Sequence, residues 1–159
     1  MISLIVAVSK NNVIGKNGKI PWSIKGEQSQ FKQLTTNNVV VMGRKSYEEI
    51  GHPLPNRYNI IISNTKEFTD TNVMTVNSLQ QALAYQCDLD IYIAGGYRVY
   101  QEAIDIVDRM YITVVDIEIA DGYTFFPSFD SSLFDCIEVT SVESNINYTR
   151  YILQRKRLQ

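Results

Sequence analysis

Histidine and tryptophan each occur once in the 159 residues, cysteine twice and proline four times. The lone histidine, His52, cannot assemble a histidine metal site or a histidine-based triad, which removes much hydrolytic chemistry. Two distant cysteines, Cys87 and Cys136, cannot build a disulfide framework and are expected as free thiols in a reducing cytoplasm. Long apolar runs are also missing. The opening "ISLIVAV" spans seven residues, with no basic stretch before it and no small-residue cleavage site after it, so it reads as a buried strand rather than a signal peptide or membrane span. Neither charge sign dominates: 15 basic against 17 acidic residues leave a net charge of -2, which gives no pull toward nucleic acid. What is present is 45% hydrophobic residues, enough for a real core. The expectation is one domain over residues 1–159, starting at Met1 as a complete chain: a cytoplasmic monomer without a metal, a membrane or a nucleic-acid partner.

β-Rich runs alternate with helical ones. Residues 2–8, 38–43, 58–63, 73–76 and 90–96 read as strands, several of them apolar on consecutive positions as in strands covered on both faces. Helical segments are predicted near 25–35, 44–50, 78–85 and 97–104, the third opened by a Ser78/Gln81 capping box. The tail, "DRMYITVVDIEI", "FDCIEVTSVES" and "YTRYILQRKR", alternates polar and apolar residues as antiparallel pairs do. The fold class is α/β: a mostly parallel sheet with an antiparallel C-terminal edge, flanked by about four helices. Ligands of such sheets bind beyond the carboxyl ends of the strands.

Three segments after strands are unusual. "MGRKSYEEI" places Arg44 and Lys45 in the first turn of a helix, where cations are unfavourable unless an anion binds. They either pair with Glu48 and Glu49 or await a phosphate. "IYIAGGYRVY" runs a strand into Gly95-Gly96 and a helix carrying Arg98, which is either a tight turn or a close approach to a pyrophosphate. Residues 9–23 form a long connection that is a lid or a plain surface loop. A fourth oddity lies in "IPWSIKGEQSQFKQLTT". At helical spacing Ile24, Phe31, Leu34 and Thr35 share one face, and Glu27 falls within that apolar stripe. A carboxylate there either finds a cationic side chain or holds a cationic part of a ligand in a dry pocket. With two phosphate sites, the second option implies a small cationic heterocycle beside a dinucleotide.

Along nearly its whole length the chain resembles dihydrofolate reductase. The matching stretches, in order, are "ISLIVAVSKNNVIG", "IPW", Glu27 with Phe31-Lys32, "MGRKSYEEIG", "PLPNR", "IIIS", "IAGGYRVY", "ITVVD" and "FFP". The resemblance implies hydride transfer from NADPH to dihydrofolate, giving tetrahydrofolate, and binding of antifolates such as methotrexate. It assigns Glu27 as the ionisable active-site group, which binds the pterin and favours protonation of its ring nitrogen. It assigns Ile5, Phe31 and Ile50 to apolar walls, Arg57 to the glutamate α-carboxylate, and Thr113 to a water link with the acid. Ala7, Ile14 and Gly15 would contact the nicotinamide half. Arg44, Lys45, Ser46, Ser63 and Asn64 would line the adenosine and its phosphates. Gly95, Gly96, Tyr97, Arg98, Val99, Tyr100 and Gln101 would hold the pyrophosphate, with the Gly95–Gly96 peptide cis. The 9–23 segment resembles the lid over the nicotinamide.

Departures from the family pattern are local. Tyr97 stands where a third glycine is common, "DGYTFFP" is one residue longer than usual, and Tyr123 replaces an aspartate that helps hold the closed lid. "IPWSIKGEQ" and "SNINY" are most similar to the trimethoprim-insensitive reductases carried on mobile elements, so low trimethoprim sensitivity is expected. The related NADPH-dependent pyrimidine reductase of riboflavin synthesis lacks the acid-bearing helix and the "PLPNR" arginine. A non-catalytic nucleotide-binding module would bind NADPH without turnover.

Overall fold

In chain order the elements are β1 (Ile2–Ser9), β2 (Val13–Gly15), α1 (Gln28–Thr35), β3 (Val39–Gly43), α2 (Arg44–Ile50), β4 (Tyr58–Ile62), β5 (Val73–Val76), α3 (Leu79–Leu83), β6 (Ile91–Ile93), α4 (Tyr97–Ala103), β7 (Arg109–Val115), β8 (Thr124–Phe125), β9 (Phe134–Val142) and β10 (Tyr148–Arg155). The structure is a computed structural model that describes residues 1–15, 22–24, 28–85, 88–121 and 124–157. Its main sheet has eight strands in the order β5-β4-β3-β6-β1-β7-β10-β9. From β5 across to β7 the strands run parallel to one another, and β10 is antiparallel to both β7 and β9. This is the α/β architecture that the alternating runs imply.

Strict alternation of side chains divides the sheet into two faces. Leu4, Val6 and Val8 of β1 join Val41, Ile60 and Ile93 against Leu79, Val99, Tyr100 and Ala103 of α3 and α4. On the other face, Val40, Met42 and Ile61 pack with Tyr47 of α2 and Phe31 of α1. β3 is buried from Val39 to Met42 because helices cover both of its faces, which is why its sequence is apolar without a break. The Ser78 hydroxyl accepts from Gln81 N–H at 3.1 Å, and Gln81 Oε1 accepts from Asn77 N–H at 2.8 Å, so the capping box forms one residue wider than its simplest version.

β6 is the shortest of the central strands. It pairs with β1 from Ile2↔Ile91 no further than Leu4↔Ile93, and with β3 from Val39↔Ile91 no further than Val41↔Ile93. β1 continues to Ser9 and β3 to Gly43, so a gap opens between them at their carboxyl ends. The Gly95-Gly96 turn fills its floor.

Two expectations need correction. The helix predicted near 25–35 is described from Gln28, and Ile24 does not share its apolar face. Ile24 packs with Val115 and Tyr148 at the far end of β7, whereas Phe31 packs against β3 and β4. The 9–23 connection is not wholly loop, because Val13–Gly15 pairs with Thr124–Phe125 in a small antiparallel sheet. The tail's three alternating stretches do pair antiparallel, β7 with β10 and β10 with β9. β7 also lies parallel to β1, with Met110 to Thr113 all buried, so it joins the parallel part of the sheet to the antiparallel edge.

Candidate active site

At the gap beyond β6 two backbones come close. Gly43 N–H donates to the Gly95 carbonyl at 2.8 Å, and the Gly95–Gly96 peptide is cis as expected. A Cβ at Gly95 would stand 3.3 Å from the Tyr100 hydroxyl and 3.4 Å from Ser46 Oγ, and one at Gly96 would stand 3.3 Å from Ser46 Oγ. Gly95 has φ 118°, which side chains rarely adopt. Glycine is therefore needed twice, for space and for conformation. Tyr100 reaches across the same gap and donates its hydroxyl to the Ile5 carbonyl at 2.8 Å, supplying the bond that β6 would have made had it continued. Full burial of this hydroxyl pushes its pKa well up, so it remains a donor. Within the predicted pyrophosphate stretch, Val99 and Tyr100 turn their side chains into the core, whereas Tyr97, Arg98 and Gln101 are exposed.

α2 begins beside this floor. Gly43 and Gly96, the residues before α2 and α4, provide no side-chain cap, which leaves the first-turn N–H groups without a side-chain acceptor. Arg44 Nη1 contacts Glu48 Oε1 at 2.8 Å, so the local-pair reading of this residue is the one that forms in the free protein. Lys45 is exposed and has no carboxylate partner among the described residues. The next strand over, β4, ends at Ile62 opposite Gly43, so Ser63 and Asn64 emerge next to Arg44. Ser63 Oγ accepts from the N–H groups of Thr65 at 3.4 Å and Lys66 at 3.1 Å, which folds the segment into a tight turn.

The face under α1 carries the other predicted group. Parallel register aligns Ile5 with Tyr111 and Ala7 with Thr113, all on that face, and antiparallel register adds Arg150 beside Thr113. Thr113 is 5% exposed. The Arg150 guanidinium lies 5.0 Å from the Tyr148 ring, toward the carboxyl end of β7. Sequence reading missed Arg150 on this face, because nothing in a single strand reveals its cross-sheet neighbour. Phe31 borders the region from α1, and Ile50 stands exposed at the end of α2.

Arg57 is delivered by a stiff turn. Pro53 and Pro55 restrict the backbone and Asn56 takes a left-handed conformation at φ 59°. Arg57 Nε donates to the Pro55 carbonyl at 2.7 Å and Nη1 to Thr35 Oγ1 at 3.2 Å. The Thr35 hydroxyl in turn donates to the Phe31 carbonyl at 2.7 Å. Arg57 is only 6% exposed, has no carboxylate partner among the described residues, and burial lowers its pKa. A buried, doubly anchored guanidinium with no acid beside it among the described residues has the chemistry to hold an anion. Thr35 was read only as part of an apolar stripe; its role as the second anchor depends on a partner 22 residues away.

The near root of the lid-like segment is braced. Asn11 bonds Ile119 twice, its amide donating to the carbonyl at 2.8 Å and its Oδ1 accepting from the N–H at 3.0 Å. Ile14 and Gly15 lie in β2, half-buried beside β8. On the far side, the Asn145 amide of "SNINY" donates to the Ser23 carbonyl at 3.0 Å. Glu27, residues 16–21, Tyr123 and Cys87 lie outside the described residues. Cys136 is an exposed free thiol. No described helix is long and apolar enough to cross a membrane.

Comparison with known proteins places this geometry. The dihydrofolate reductase family model matches residues 1–157. Dihydrofolate reductase type 15 of Escherichia coli is 39% identical over 157 residues, covering 97% of this chain and 98% of its own length. Type 3 of Salmonella typhimurium is 40% identical over 130 residues, covering 81% of this chain and 80% of its own length. Among solved structures, dihydrofolate reductase from Enterococcus faecalis complexed with NADP(H) and RAB-propyl matches with a TM-score of 0.91 at 30% identity, over 99% of this chain and 97% of that one.

Proposed function

The chain belongs to the dihydrofolate reductase family, and from that premise we propose that it reduces 7,8-dihydrofolate to 5,6,7,8-tetrahydrofolate with NADPH, and with low sensitivity to trimethoprim. The observation that carries the substrate is Arg57. Its guanidinium is buried, held on two sides, and faces no described acid, which suits a substrate carboxylate remote from the reacting ring. The related pyrimidine reductase has no use for such a group.

The cofactor reading rests on the gap beyond β6. The glycine backbone at Gly95 and Gly96, leading into the uncapped start of α4, suits a pyrophosphate held by N–H groups, and the exposed Lys45, with Arg44 beside it, offers charge to an additional phosphate. When bound there, NADPH supplies hydride to the carbon–nitrogen double bond of the dihydropterin. This chain's residues do the rest. Glu27 binds the planar two-donor edge of the pterin and favours protonation of its ring nitrogen, with water carrying the proton. Ile5, Ala7, Phe31 and Ile50 keep the ring region apolar, and Tyr100 fixes the Ile5 carbonyl. Arg57 anchors the far end.

Low trimethoprim sensitivity is supported by Glu27, one methylene longer than aspartate, and by Gln28, which is exposed at the start of α1. The test is NADPH absorbance followed with dihydrofolate, then repeated with trimethoprim. Turnover that resists the drug agrees with the proposal. NADPH binding without turnover would reduce the protein to a nucleotide-binding module.

A further inference from the structure

We propose that Tyr47 is a positioning residue for cofactor discrimination, its hydroxyl holding the first turn of α2 in register with the segment that follows β4. The inference rests on the reading that Arg44 and Lys45 recognise the phosphate distinguishing NADPH from NADH, and it names what sets where those cations stand.

α2 has seven residues, too few to be stable without tertiary anchors, and Tyr47 is the one it buries. The Tyr47 ring, 4% exposed, packs against Val40, Met42 and Ile61 below and meets Phe68 edge-on at 4.9 Å. Its hydroxyl donates to Asp70 Oδ2 at 2.9 Å. Phe68 and Asp70 belong to the connection that starts with Ser63 and Asn64. That connection is itself rigid: Phe68 N–H donates to Thr75 Oγ1 at 2.9 Å, the Thr75 hydroxyl returns to the Phe68 carbonyl at 3.3 Å, and Ser63 Oγ closes the turn at its start. Arg44, Lys45 and Ser46 therefore form one lip of the adenosine region and Ser63 to Lys66 the other, with Tyr47 as the strut between them. Lys66, whose Nζ lies 5.1 Å from the Phe68 ring, rides on the same strut. Burial, with Asp70 beside it, raises the Tyr47 hydroxyl to a pKa of about 12, so the strut keeps its proton at neutral pH.

Small displacements of charged groups cost affinity for the group they grip and spare the rest of the ligand. The loss should therefore appear in the extra phosphate alone, which a merely structural hydroxyl would not produce. The experiment measures Michaelis constants for NADPH and NADH, and turnover, in Tyr47→Phe, Asp70→Ala, Asp70→Asn and Arg44→Ala. Tyr47→Phe and Asp70→Ala should each raise the NADPH constant about five-fold while the NADH constant and turnover stay close to wild type. Asp70→Asn, which keeps an acceptor oxygen, should preserve discrimination. Unchanged discrimination in Tyr47→Phe, or equal losses for both cofactors, overturns the proposal even if melting temperature falls. Should Tyr47→Phe not fold, the Asp70→Ala and Asp70→Asn pair decides by the same criterion. Arg44→Ala separates the two readings. If it leaves discrimination intact, the phosphate assignment itself fails; if it reduces discrimination and Tyr47→Phe does not, only the strut fails.

Discussion

Replacing Arg57 with lysine should weaken every folate that carries a glutamate tail and spare those that do not. A guanidinium has five N–H donors. Two are committed to the Pro55 carbonyl at 2.7 Å and Thr35 Oγ1 at 3.2 Å, which leaves three to form a fork on a carboxylate. Lysine presents three donors on a single nitrogen at the end of a flexible stem. It cannot reach both anchors and still bind an anion in two places. Losing one charge-assisted hydrogen bond costs about 1.5–3 kcal/mol, so the dissociation constant for methotrexate should rise roughly 10- to 150-fold. Burial of the site adds to the effect, because an ammonium is more strongly hydrated than a guanidinium and resists a position only 6% exposed. Isothermal titration of methotrexate, with steady-state constants for dihydrofolate and for a dihydropterin without the tail, reads this directly. An equal loss for the tail-less pterin, or a methotrexate constant within two-fold of wild type, would refute the assignment and leave Arg57 as a brace between α1 and the "PLPNR" turn.

Glu27→Gln, near-isosteric, should lower turnover about 10²- to 10⁴-fold near neutral pH, with partial recovery in acid where solvent protonates the substrate; wild-type turnover at pH 7 would remove the residue from the mechanism. Trimethoprim should inhibit the wild type poorly and the Glu27→Asp/Gln28→Leu variant at least ten-fold better, since restored aliphatic contact is worth roughly 1–2 kcal/mol; a double variant no more sensitive than its parent would count against this. Gly95→Ala should raise the NADPH Michaelis constant and lower the melting temperature, because a side chain at φ 118° costs about 1–2 kcal/mol and meets Tyr100 and Ser46; an unchanged cofactor constant would contradict the close approach. Burial raises Tyr47 and Tyr92 from 10.0 to about 12, so the unfolded chain loses these protons first as pH climbs. Stability should hold below pH 10 and fall between pH 10 and 12, by up to about 1.4 kcal/mol per pH unit per group, and Tyr47→Phe should flatten that decline in denaturant titrations.

Local patterns were enough to reveal most elements and the two glycine-marked strand ends. Continuous apolar runs identified β3 and β6, Ser78 and Gln81 identified the start of α3, and Gly95-Gly96 identified a close approach, because each signal acts within a few residues. The Glu27 stripe raised the question of a buried acid from helical spacing alone, although that spacing wrongly joined Ile24 to Phe31. What needed tertiary structure was everything settled by strand order. Nothing local makes β6 stop short of the ends of both β3 and β1 or inserts it between them, yet that placement opens the gap. The placement of β7, parallel to β1 on one side and antiparallel to β10 on the other, likewise lies beyond any local signal, and the two pairings together align Ala7, Thr113 and Arg150 in one row. The anchors are long-range too. Thr35 meets Arg57 across 22 residues, and Tyr47 meets Asp70 across 23. Such contacts answer to the geometry of the packed sheet, where a hydroxyl excluded from water takes whichever partner the fold brings within 3 Å or so.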